Sequence, residues 1–155
     1  MSGGAGKCPE CGALLNPGEA CVNRFHACLV LDYSGPAYGT VHHLVVATYM
    51  LQHPSRLTAD GWLATRSLLK AFLHEGRTPA AVRQEDRRSL DSGVRSVKLK
   101  NRAAAPVVRT RSWPATIADV RLERGEVYRA SVTQWATAAL AAALGMEPEG
   151  ADHGE

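Results

Sequence analysis

A chain of 155 residues, 45% hydrophobic and 21% charged, with a net charge of +3, has the size and make-up of one folded domain. It is long enough to bury a core without disulfide staples, and so mild a charge does not by itself point to nucleic acid. The longest stretch free of Asp, Glu, Lys and Arg, Tyr33 to Ser55, is broken by Gly35, Pro36 and three histidines, which excludes a membrane-spanning helix.

Residues Met1 to Lys7 are small and polar, lack the apolar segment of a secretory signal, and are expected to be disordered. A cytoplasmic location follows as the expectation. In that reducing compartment four cysteines read as metal ligands or free thiols. Residues 8 to 17 form a turn-rich segment, Cys8-Pro9-Glu10-Cys11-Gly12 followed by Asn16-Pro17. A first helix is expected from about Glu19 to Tyr33, with Val22, Phe25, Leu29 and Val30 on its apolar face and Ser34-Gly35-Pro36 as its stop. A second, from about Tyr38 to His53, is apolar nearly all round and reads as central and buried; Pro54 ends it.

Thr58 or Asp60 caps a third helix, with Trp62, Leu63, Leu68, Leu69 and Phe72 inward and Gly76 past its end. Thr78-Pro79 opens a fourth, polar helix to about Leu90. Between 91 and 115, Val94 to Leu99 alternates in polarity and could pair with Val107 to Arg111, giving a short β-hairpin or an ordered loop. A last helical region starts near Thr116, breaks at Gly125 and runs to about Leu144; the tail from 146 to 155 is expected to be disordered. The fold class is therefore mainly α: a small helical domain over residues 8–145 with an N-terminal zinc knuckle and at most one short hairpin.

The sharpest chemical signal is Cys8-x-x-Cys11-Gly12. Two thiolates on one tight turn can hold one ion, and the glycine permits the backbone conformation a knuckle needs. A redox role would want a strand before the motif and a helix starting inside it, which the chain does not offer there. Zinc asks for two more ligands, and Cys21, His26, Cys28, His42, His43 and His53 are the candidates. Geometry selects among them. A short connection makes the first two helices antiparallel neighbours. If Tyr33 faces Tyr38, Cys21 lies level with Met50, His53 lies within a turn of that level, and His42 is about 12 Å away along the axis. The expected ligand set is Cys8, Cys11, Cys21 and His53, with their donor atoms within about 4 Å of one another. His42 and His43 read as a hydrogen-bonded pair in or beside the core, and His74 as a partner of a helix C-terminus.

Nine Lys/Arg against three acids fall between Arg83 and Arg111, and three against seven follow. The segment lacks interleaved aromatics, so it reads as a solvated surface and not a nucleic-acid face.

From Val41 to Pro54 the chain resembles an uncharacterised bacterial family, a domain of unknown function that pairs Cys-Pro-x-Cys-Gly with Val-His-His-Leu-x-Val-x-x-Tyr-x-Leu-Gln-His-Pro. Here these are Cys8 to Gly12 and Val41 to Pro54. Cys21 with Phe25, Gly61-Trp62, Thr116 to Val120 and Trp135-Ala136 extend the likeness over roughly residues 8–144. The resemblance implies a small helical protein with a metal-like cysteine and histidine set and no established activity. The expected function is a structural-zinc interaction or regulatory module with a protein partner. The alternatives are a metal-dependent enzyme built on His42 or His43 with Tyr49, Cys28 or His74, and a nucleic-acid binder using Arg87, Arg88, Lys98 and Lys100.

Overall fold

A computed structural model describes residues 6–91 and 113–146. A two-stranded antiparallel hairpin, β1 (Gly6–Lys7) and β2 (Leu14–Leu15), opens it, with Gly6 opposite Leu15 and Lys7 opposite Leu14. Helices α1 (Cys21–Asp32), α2 (Pro36–Gly39), α3 (His42–Gln52), α4 (Ala59–His74), α5 (Pro79–Asp91) and α6 (Glu126–Ala143) follow. Two 3₁₀ turns, Pro54–Arg56 and Ile117–Asp119, complete the described elements. The mainly helical class stands. The β-hairpin lies at the knuckle, with Gly6 and Lys7 inside the stretch expected to be disordered. The pairing expected at 94–111 lies outside the described residues, as does most of the basic segment. Met146, the start of the expected tail, is 4% exposed.

Helix boundaries follow local chemistry. Thr58 Oγ1 accepts from Gly61 N at 2.9 Å and caps α4. Gly76 sits at φ +66, the left-handed conformation that closes a helix, and Arg77 N returns to Ala71 O at 3.0 Å. Thr78 Oγ1 accepts from Ala81 N ahead of α5. Replacing Thr58 by Ala should lower unfolding free energy by about 1 kcal/mol. Urea denaturation measures this, and a loss near zero would show that the cap is idle.

The central helix is α3, which packs against α1, α4 and α6. Val45, Leu51, Trp62, Leu69, Tyr128, Trp135 and Leu140 form the fully buried core. Its C-terminal end is held by both buried tryptophans: Trp62 Nε1 donates to Leu51 O at 2.9 Å, and Trp135 Nε1 donates to Gln52 Oε1 at 3.0 Å. Gln52 Nε2 in turn donates to Ala115 O at 2.8 Å. These bonds fix the point at which His53 leaves the helix. Arg24 anchors α1 to the 3₁₀ turn ahead of α6 by donating to Ile117 O and Val120 O.

The α1–α3 register differs from expectation. Asp32 meets His42, Phe25 stacks on Tyr49, and Cys21 lies with His53. Each partner sits three positions further along α3 than predicted. The cause is α2: the connection is a helical turn of its own, so the long helix starts at His42 and not at Tyr38.

Candidate metal centre

The knuckle is built by backbone hydrogen bonds. Gly12 N donates to Cys8 O at 2.9 Å, Cys8 N donates to Ala13 O at 2.9 Å, and Ala13 N points at Cys11 Sγ, 3.4 Å away. Gly12 has φ +82, a conformation that any side chain would strain. Cys21 is the first residue of α1, reached through the turn at Asn16, where Glu19 N donates to Asn16 O. His53 is the C-terminal residue beyond α3, just before Pro54. Glu10 joins the two halves, accepting from Ser55 N at 3.1 Å and from Ser55 Oγ at 3.4 Å.

Through these elements the structure brings together one donor atom each from Cys8, Cys11, Cys21 and His53, all within 4.8 Å of one another. That is looser than the 4 Å anticipated, but the same four residues converge. The Cys11 and Cys21 sulfurs are 3.6 Å apart. Sulfurs at 2.3 Å from a common tetrahedral ion would be separated by about 3.8 Å.

The histidine is prepared for a ligand. His53 Nδ1 donates to Tyr49 O at 2.8 Å, which directs Nε2 at the sulfurs. Nε2 is buried and has no hydrogen-bond partner. The other two such atoms among the described residues, Thr48 Oγ1 and Arg129 Nε, belong to no cluster of metal-ligating side chains. An orphaned ring nitrogen facing three sulfurs is the feature a bound cation would satisfy. Phe25, Tyr49 and His53 stack in sequence, each pair of rings 4.2 Å apart, so the imidazole plane is fixed by packing as well.

Electrostatics in the cluster follow from its protons. The hydrogen bond between the Cys11 and Cys21 sulfurs lowers the Cys11 pKa, against the opposing effect of burial, and the same contact raises that of Cys21. Burial alone would lower His53, but the Cys11 sulfur and the Tyr49 carbonyl outweigh it and hold its pKa up at about 9. Without a cation the group therefore keeps protons on Cys21 and His53 that a metal would displace.

The remaining candidates lie elsewhere. His26 is exposed on α1 beside Phe25. Cys28 is fully buried, its pKa raised to about 11 mainly by burial. His43 meets the edge of Phe72, and His74 ends α4. The His42–His43 hydrogen-bonded pair is not formed: His42 Nδ1 bonds Asp32 Oδ2 instead, at 2.9 Å. Sequence reasoning missed Asp32. Its only local signal is that it is the one acid in α1, four residues after the buried Cys28 on the same face.

The family model of a family of unknown function, DUF5946, matches residues 6–143, and the chain belongs to that family. No curated protein and no solved structure matches it. No helix among the described residues is long and apolar enough to cross a membrane.

Proposed function

We propose that this chain is a zinc-stabilised helical domain in which Cys8, Cys11, Cys21 and His53 Nε2 hold one structural zinc ion. The observation that carries the reading is the buried, unpartnered Nε2 aimed at three sulfurs. Three sulfurs and one nitrogen are a common zinc donor set, and four protein ligands close the coordination sphere to substrate. The ion then supplies stability, joining the N-terminal hairpin and α1 to the end of α3. The domain's role is that of an interaction or regulatory module with a protein partner. Four cysteines outside any disulfide suit a reducing compartment such as the cytoplasm.

Zinc analysis of the purified, dialysed protein should give about one ion per chain, as a single four-ligand site requires. His53→Ala should lower that content and raise the ion's exchange rate with a competing chelator. Full zinc retention in both His53→Ala and Cys21→Ser would overturn the assignment. Uptake should also release protons, because Cys21 and His53 are held protonated without the ion. Affinity should consequently fall as pH is lowered. Calorimetric titration in buffers of different ionisation enthalpy reads the release, and pH-independent affinity between pH 6 and 8 would contradict it.

A further inference from the structure

A second group of ionisable side chains lies at the other end of α3. Asp32, the last residue of α1, is 3% exposed. Its Oδ1 accepts from the Tyr128 hydroxyl at 2.6 Å, and its Oδ2 accepts from His42 Nδ1 at 2.9 Å. Burying a carboxylate is costly, and apolar residues of similar volume often pin helices as well or better. The arrangement does something that an apolar pin would not. The Asp32 side chain is closed to solvent, whereas that of His42 is 32% exposed. With the Nδ1 proton directed into the carboxylate, the lone pair of the neutral ring sits on Nε2. Nε2 makes no hydrogen bond among the described residues and is not among the buried unpartnered atoms, so it is open to solvent.

Two neighbours shape the space around it. The Tyr33 ring, 76% exposed, stands 5.2 Å from the imidazole at an angle of 50°. His42 is also the first residue of the 11-residue α3, whose N-cap, Val41, supplies no side-chain acceptor to the helix amides. The positive end of that helix therefore lies beside the ring.

We propose that Asp32 and His42 form a general-base site that takes the proton of water or of an alcohol-type hydroxyl. The O–H bond breaks, the proton goes to His42 Nε2, and the electron pair stays on the oxygen. The ring becomes an imidazolium facing the Asp32 carboxylate, and the oxyanion is left near the N-terminus of α3. His42 is the proton acceptor; Asp32 is a positioning residue that fixes the tautomer. The site is separate from the metal centre, since His42 and His53 are about 16 Å apart along the helix at 1.5 Å per residue. It stands whether or not zinc binds.

The test uses the full chain and two readouts. A long-range proton–nitrogen correlation spectrum of the wild type should show His42 as the Nδ1–H tautomer. With p-nitrophenyl acetate as the probe ester, hydrolysis above background should fall about a hundredfold in His42→Gln and in Asp32→Asn, with recovery in Asp32→Glu, as loss of a positioned general base predicts. An Nε2–H or fully protonated ring in the wild type would overturn the proposal, and so would equal hydrolysis by wild type and His42→Gln. If the variants lose their helical circular dichroism, the wild-type spectrum still decides.

Discussion

Stripping the metal from the zinc-loaded protein should lower its melting temperature by about 10 °C. A site filled at about a thousand times its dissociation constant contributes about 4 kcal/mol, and each kcal/mol moves the midpoint of a domain this size by about 2–4 °C. The loss should be uneven. Without the ion, the hairpin of β1 and β2 is held to the helices chiefly by the Glu10–Ser55 contacts and its own packing. Hydrogen exchange should therefore rise first across residues 6–30, while the core of α3, α4 and α6 keeps its protection. A metal-free protein with an unchanged melting curve would remove the structural role of the ion.

The second large effect is expected at Gln52, the residue before His53. Its amide is completely buried, joining Trp135 Nε1 to Ala115 O across the end of α3. Gln52→Leu fits the volume but leaves an indole N–H and a backbone carbonyl without partners. Each such orphan costs about 1–3 kcal/mol, so the variant should lose about 2–6 kcal/mol. It should also loosen His53, the next residue, and so weaken metal retention. Denaturant unfolding of the zinc-loaded variant measures the first effect. A loss under about 0.5 kcal/mol, the size of a neutral surface change, would show that water or rearrangement satisfies the two groups.

Most helices were legible because their ends carry strong local chemistry. Pro54 stops α3, Thr58 caps α4, Gly76 closes it, and Thr78-Pro79 opens α5. The hairpin at the knuckle was not legible, since two-residue strands such as Gly6–Lys7 have no room for an alternating pattern. Nor was α2, four residues long and containing both a proline and a glycine. Missing it shifted the α1–α3 register by three residues. His53 is still placed at the right end of the helix pair, because the antiparallel arrangement alone brings it there. The corrected register places it level with Cys21, not a turn beyond. The meeting of Asp32 with Tyr128 was beyond sequence reasoning: 96 residues separate the two, and nothing local announces the contact.

X-ray absorption at the zinc edge of the purified protein tests the central claim most directly. Three sulfurs at about 2.3 Å and one nitrogen at about 2.0–2.1 Å are expected, with no bound water. In His53→Ala the nitrogen shell should be replaced by a solvent oxygen while the three sulfurs remain. A shell made mainly of nitrogen and oxygen, or one unaltered in His53→Ala, would contradict the structural site assigned to Cys8, Cys11, Cys21 and His53.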